Sequence, residues 1–253
     1  MLGMLKVKCE NWLASDKKVK KLGVSLHYYL FRHRMWDRVL FLDTKSKFTE
    51  IYRNNLWNNE ESRSGGGSTL SRTTNIRTGL QELLLELGVK SICDAGCGDF
   101  NWMKSVEMKN VDYIGVDIVS DLIAANKEKY QGGNIKFIDM DIICDDLPTV
   151  DLILCREVLF HLSFQDVSDA IRNFKRSGSK YLLATHYPYI SENTEIQTGQ
   201  CRGINFQKAP LEFPAPKRMI EENVSDHCLA LWELAEIDPH MFWGRGRGVL
   251  HEK

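Results

Sequence analysis

Three carboxylates stand where apolar runs end: Asp94 in Ser91-Ile-Cys-Asp-Ala-Gly-Cys-Gly-Asp99, Asp117 in Val111-Asp-Tyr-Ile-Gly-Val-Asp117, and Asp141 in Ile135-Lys-Phe-Ile-Asp-Met-Asp141. An apolar run followed by glycines reads as a buried strand entering a tight turn, and Gly96 and Gly98, next to Ala95, let the backbone approach a ligand without Cβ interference. A dinucleotide fingerprint would place a third glycine where this chain has Asn101. With Asp94 inside the turn, the site suits a ligand carrying an ammonium group better than a pyrophosphate, whose charge an acid would oppose. Asp117, 19 residues beyond Gly98 and followed by Ile118, falls where an acid grips a ribose diol. Asp141 and the backbone of Ile142 can hold the exocyclic amine of adenine. Each acid alone reads equally well as a surface or helix-capping carboxylate; three in register at successive strand ends point to one nucleoside-like ligand.

A second group of residues follows the later strands. His161 comes after Asp151-Leu-Ile-Leu-Cys155 and His186 ends Lys180-Tyr-Leu-Leu-Ala-Thr185, so both fall near the carboxyl edge of a sheet, where open α/β folds bind ligands. Either imidazole could act as a base near neutral pH; His186 is preferred for that role, and His161 reads rather as a packed or capping ring. Arg156 and Glu157 sit at the same edge, facing an acceptor or paired with an acid. Convergence of His186, Glu157 and His161 on a metal has no support from local ligand spacing, and no metal is expected.

These residues need a particular scaffold. Strand and helix patterns alternate along the chain: a core helix over 76–87, the three strands above, a strand at 150–155, a helix at 164–174 behind a Ser163 cap, and a strand at 180–185. The expected fold is α/β, a doubly wound and mostly parallel seven-stranded, Rossmann-like sheet, with 229–237 as a last strand running antiparallel at the sheet edge. Residues 1–75 read as a helical N-terminal extension with an active-site loop, and 76–253 as the domain proper. Five of the six prolines lie at or after position 188, so 188–216 reads as an irregular insertion shaping an acceptor pocket.

The chain resembles the class I S-adenosylmethionine-dependent methyltransferases over roughly residues 48–237, through Asp94-Ala-Gly-Cys-Gly98, Gly115-Val-Asp117 and Asp151-Leu-Ile-Leu-Cys-Arg-Glu157. It also looks like a subgroup found in bacterial surface-polysaccharide loci. The closer match lies in Glu61-Ser-Arg-Ser-Gly-Gly-Gly-Ser68, Cys97-Gly-Asp-Phe-Asn-Trp-Met103, Arg156-Glu-Val-Leu-Phe-His161, Thr185-His186 and Thr198-Gly-Gln-Cys-Arg-Gly-Ile-Asn205. The subgroup more often has Asp where this chain has Glu157. The resemblance implies S-adenosylmethionine as cofactor and S-adenosylhomocysteine as product. It also implies an O-methyl transfer to a small molecule or a sugar or phosphoramidate precursor of a capsular polysaccharide. A non-catalytic cofactor-binding subunit, or an enzyme for another small metabolite, stands as the alternative.

Methyl transfer is an in-line displacement, so holding the acceptor does most of the work. A hydroxyl acceptor needs a base; a phosphate or phosphoramidate oxygen is already anionic and needs cations. Arg72, Arg77, Arg156 and Arg202 incline the reading toward an anionic acceptor, with Trp57, Ser64 and Asn205 as further acceptor contacts and Arg77 also suited to the cofactor carboxylate. The loop at 61–68 is a flexible tether by composition, but the aromatics and arginines around it favour an ordered cover over the cofactor.

Composition fits a cytoplasmic enzyme that does not bind nucleic acid. The formal charge is −1, the seven cysteines lack C-x-x-C spacing and read as reduced thiols, and no apolar run could span a membrane. The first forty residues are unlike the rest, with nine Lys or Arg against three acids. They read as a helical extension packed on the domain or on a second copy in a homodimer, or as an electropositive lid or membrane-surface contact. The tail at 244–250 reads as a flexible terminus.

Overall fold

The apolar runs ahead of the acids become adjacent strands, since a parallel sheet covered on both faces is where continuous runs of β-branched and aliphatic residues are most stable. The computed structural model describes residues 35–222 and 226–238. Its strands are β1 (Ser91–Ala95), β2 (Asp112–Asp117), β3 (Ile135–Asp139), β4 (Leu152–Cys155), β5 (Tyr181–His186), β6 (Arg218–Glu221) and β7 (Cys228–Glu233). They form one sheet in the order β3-β2-β1-β4-β5-β7-β6. β1 to β5 pair in parallel, and β7 runs antiparallel to both of its neighbours. The fold is therefore the mixed, mostly parallel, Rossmann-like sheet that the strand pattern predicts.

One detail differs. The final strand is antiparallel, but it lies between β5 and β6 rather than at the edge, and its apolar run leaves the sheet after Glu233 into a 3-10 turn. Every residue of β7 except Glu233 is buried, as an internal strand requires. The edge belongs to β6, whose four residues include only one buried side chain, Ile220, so it has no apolar pattern to announce it.

Among the described residues the sheet is flanked by α1 (Thr44–Arg53), α2 (Thr74–Glu86), α3 (Ser120–Tyr130) and α4 (Phe164–Arg176). α2 buries Ile76, Leu80, Leu83 and Leu84, one stripe at helical spacing, on the face that also takes up Ile92, Tyr113 and Phe137. α4 buries Val167, Ala170, Ile171 and Phe174 on the opposite face, against Cys155, Leu182 and Trp232. Its N-terminus is capped as expected, with the Ser163 side chain accepting from the Asp166 amide.

The strand order changes direction between β1 and β4, which leave from one another toward opposite sides of the sheet. A crevice opens at their carboxyl ends. α1 and the loop at 61–68 lie over it, and residues 188–216 run without helix or strand between β5 and β6. Among the described residues no helix is long and apolar enough to cross a membrane. The basic residues before position 35 and the tail at 244–250 lie outside the described residues.

Candidate active site

At the end of β1 the chain turns through Gly96 and Gly98, with φ of 88° and 55°. A Cβ on Gly96 would overlap Val158, and one on Gly98 the hydroxyl of Ser64, so both positions are held to glycine by conformation and by space. Asn101, in the place of a third glycine, does a different job. Its amide donates to Oε1 of Glu61 at 2.9 Å and to the Ser68 carbonyl at 3.0 Å. Asp99 accepts from the Ser62 hydroxyl at 3.0 Å and the Arg63 amide at 2.8 Å, and donates its own amide to Ser64 Oγ at 2.8 Å. The glycine-rich loop is thus fastened onto the turn, in the ordered arrangement its surroundings suggest and not as a free tether.

Asp94, Asp117 and Asp141 line one cavity with Gly96, Gly98, Ile118 and Ile142. Burial pushes the Asp94 carboxyl up to about 7, although the Tyr113 hydroxyl donates to it at 2.7 Å. Burial likewise raises Asp117 to about 6, opposed by the Val119 and Gly98 amides, which donate to it at 3.0 and 3.1 Å. Asp141 accepts from the Ile143 amide at 2.9 Å. Ala95 is fully buried within β1 and is not part of the cavity wall.

Across the cavity stand Trp57, Ser64, Trp102, Arg156, Glu157 and His161. Arg156 is not a free cation. Its guanidinium pairs with Glu222 through Nε and Nη2 at 3.2 and 3.0 Å, donates to the Gly67 carbonyl at 2.9 Å, and lies over Trp102. Glu157 takes a left-handed backbone, φ 60°, with its amide donating to Thr185 Oγ1 at 2.8 Å. Burial pushes the Glu157 carboxyl up, but His227, 3.0 Å away, and Arg156 outweigh it and hold it below the usual range. For His227 burial works against the charge, yet Glu157 and Glu222 prevail and push it up to about 9.

His161 is fixed by the insertion. Its Nδ1 lies 2.9 Å from the Gln200 carbonyl, an acceptor only, so Nδ1 carries the proton and Nε2 keeps the lone pair. The Gly199 amide donates to the His161 carbonyl at 2.8 Å, tying the same turn down. Burial holds the ring below its ordinary value and therefore neutral at pH 7. Trp57 flanks it at 5.8 Å between ring centroids.

Five further expected site residues, besides Ala95, are placed elsewhere. His186 is fully buried in the core, its Nδ1 accepting the Phe206 amide at 3.2 Å and its ring edge-on to Trp232. It ends β5 but packs onto the α4 side of the sheet, away from the cavity, and burial depresses it to about 4. Arg77 donates to the Leu70 carbonyl at 3.1 Å. Arg202 donates to the Leu162 carbonyl at 2.5 Å and lies over Phe164. Asn205 donates to the carbonyls of Pro188 and Ile190, tying the insertion together. Neither these nor Arg72 line the cavity. Arg77, Arg202 and Asn205 each donate to backbone carbonyls, as the main chain of turn-rich segments requires.

Other residues of the site carry no readable sequence signal. Glu222 and His227 lie 65 and 70 residues beyond Glu157, flanking a short exposed edge strand and the strand that follows. Phe48 comes from α1, where a run with few apolar residues gave no reason to send it toward a cofactor, whereas Tyr52 of the same helix is one of the aromatics noted ahead of the loop at 61–68.

Residues 92–178 match a family model described as a methyltransferase domain. The match runs from β1 to α4, the part of the chain that carries the acid-lined glycine turn. No curated protein matches the chain in sequence. Solved structures similar to it include the Synechocystis magnesium protoporphyrin IX methyltransferase with bound S-adenosylmethionine, at 14% identity over 79% of this chain and 89% of that one, TM-score 0.48. Human N-acetylserotonin methyltransferase is 17% identical over 73% and 57%, TM-score 0.47. The Bradyrhizobium japonicum N-methyltransferase NodS is 17% identical over 64% and 98%, TM-score 0.46.

Proposed function

We propose that the protein transfers a methyl group from S-adenosylmethionine to a neutral hydroxyl of a small molecule, with His161 as the base. The cavity suits the cofactor: Asp94 sits among glycines that admit close approach, Asp117 beside it would take the ribose hydroxyls, and Asp141 with Ile142 would take the adenine. Bound there, the cofactor supplies an electrophilic methyl group on a sulfonium. The chain's own residues have three further tasks.

Trp57, Trp102, Val158 and Leu162 give an apolar wall that excludes water and positions an acceptor ring. His161, neutral with Nε2 unprotonated, accepts the proton that leaves the hydroxyl. Glu157 faces the same space as a carboxylate, and its charge favours the imidazolium that forms.

The observation that carries this reading is the charge of the wall. At its acceptor end Glu157 faces the space as a carboxylate, while Arg156, the cavity's one arginine among the described residues, is already paired with Glu222. Such a wall repels an anionic oxygen, so the preference drawn from the arginines for a phosphate or phosphoramidate acceptor is withdrawn. A sugar hydroxyl on a precursor of a surface polysaccharide is the acceptor we favour, on the motif resemblance alone. The test is a panel of hydroxylated sugars, sugar nucleotides and phosphoramidates incubated with S-adenosylmethionine, read as S-adenosylhomocysteine formed. Methylation confined to the anionic members would overturn the hydroxyl assignment, and cofactor binding without any turnover would favour a regulatory subunit.

A further inference from the structure

Behind Glu157 lies a group of side chains that methyl transfer does not require. Nε2 of His227 is 3.0 Å from Oε1 of Glu157 and 3.3 Å from Oε2 of Glu222. The three ligand atoms lie within 4.8 Å of one another. The His227 and Glu222 side chains are 8% and 1% exposed. Despite these short separations, Oε1 of Glu157 and both ring nitrogens of His227 are buried with no aligned hydrogen-bond partner. The atoms are gathered closely without being paired along donor–acceptor lines.

An imidazole nitrogen pointing at two carboxylate oxygens is stable only with a positive species between them. A proton on Nε2 is one candidate, but divided between two oxygens it aligns fully with neither. A metal ion satisfies all three atoms together. Donors about 2.1 Å from a common ion, at angles of roughly 90–110°, stand about 3.0–3.4 Å apart, which is the spacing observed around Nε2. Two carboxylate oxygens and one imidazole form a donor set suited to Mn²⁺ or Zn²⁺ more than to the all-oxygen cations. Charge permits it: once the ion takes the place of the His227 proton, the two carboxylates and Arg156 sum to one negative charge, which a divalent cation offsets.

We propose that Glu157, Glu222 and His227 bind a divalent transition-metal ion at the acceptor end of the cavity. Glu157 lines the cavity and the other two lie behind it, so the ion sits at the wall with coordination positions open toward the acceptor. Its role, resting on the hydroxyl reading above, is to bind and polarise the acceptor oxygen, so that the proton passes more readily to His161. Arg156 holds Glu222 from the far side, Nε on one oxygen and Nη2 on the other, and so orients that ligand as an outer partner.

The experiment titrates Mn²⁺ into the full-length protein, followed by electron paramagnetic resonance of the free ion, with Zn²⁺ as competitor. S-adenosylhomocysteine is titrated into the same samples. We expect one Mn²⁺ per chain, displaced by Zn²⁺, with affinity weakened about tenfold or more in His227→Ala and S-adenosylhomocysteine binding retained. No Mn²⁺ or Zn²⁺ binding by the wild-type protein would overturn the proposal, as would undiminished binding in His227→Ala. Should His227→Ala not fold, Glu157→Gln is read in its place by the same criterion. Retained S-adenosylhomocysteine binding without metal binding would sink the cation alone, whereas loss of both would remove the cofactor reading as well.

Discussion

The two halves of the cavity are built differently. On the β1–β3 side the cavity-lining acids sit within a few residues of the strands that carry them, and the backbone fixes them: the Gly98 and Val119 amides hold Asp117, and the Ile143 amide holds Asp141. On the β4–β7 side the groups are fixed by partners far along the chain. Arg156 is held by Glu222, 66 residues on, and His161 by the Gln200 carbonyl, 39 residues on. Buried Lys47 donates from α1 to the Thr198 carbonyl, 151 residues away. The first half is a property of strand-end turns and the second a property of the assembled fold. Damage should therefore be local in the first half and spread through the structure in the second.

The largest effect should come from separating the two histidines. His161→Ala is expected to lower turnover about 10²–10⁴-fold, with S-adenosylhomocysteine affinity unchanged, as for loss of a general base. His186→Leu leaves the buried Phe206 amide unpaired and should cost about 1–3 kcal/mol of stability with turnover unaltered. Steady-state kinetics alongside denaturant melts reads both, and the reverse pattern would return catalysis to His186.

Next comes the buried pair. Glu222→Ala strands the Arg156 guanidinium, 3% exposed, and should destabilise the fold by about 3–5 kcal/mol. A shift much below that in a urea melt would mean that water or the loop at 61–68 takes over the charge.

Asp117→Ala should behave as a local lesion. It leaves the bound ribose diol without its acceptor and is expected to cost about 1–3 kcal/mol in S-adenosylhomocysteine affinity by calorimetry. The melt should stay near wild type, since the backbone amides of Gly98 and Val119 lie beside the cavity. An unfolded variant would contradict the contrast drawn between the halves.

The smallest effect is a pH dependence. Free Asp94, pushed up to about 7, holds its proton above the usual carboxylate range, so this group favours the folded state less as pH rises from about 4 to about 7. A bound ammonium group stabilises the carboxylate and lowers that value. Affinity for S-adenosylhomocysteine should then strengthen as pH rises toward about 7 and level off above it, with proton release on binding. Calorimetry in buffers of different ionisation enthalpy measures the proton. Tyr113→Phe removes the hydrogen bond that moderates Asp94 and should move the window to higher pH; proton uptake on binding would refute the assignment.

Periodicity and punctuation in the sequence were sufficient for the alternating strands, the glycine turn, the capped helix behind Ser163 and the three acids. These are governed by interactions within a few residues: conformational freedom at glycine, burial of apolar runs, and side chains accepting from nearby amides. What only the tertiary structure decided is which polar groups line the cavity. His186 and His161 both follow strands into the same edge by sequence, yet the chain leaves β5 into the core and leaves β4 into a turn beside the crevice. Arg77, Arg202 and Asn205 have the chemistry for an anion and spend it on backbone carbonyls, while Glu222 and His227, on segments with no distinguishing pattern, are carried to Glu157 by the insertion of β7 between β5 and β6. A side chain's composition states what it can bind, but its partner is chosen by burial, because an unpaired polar group in the interior costs more than any one ligand contact returns.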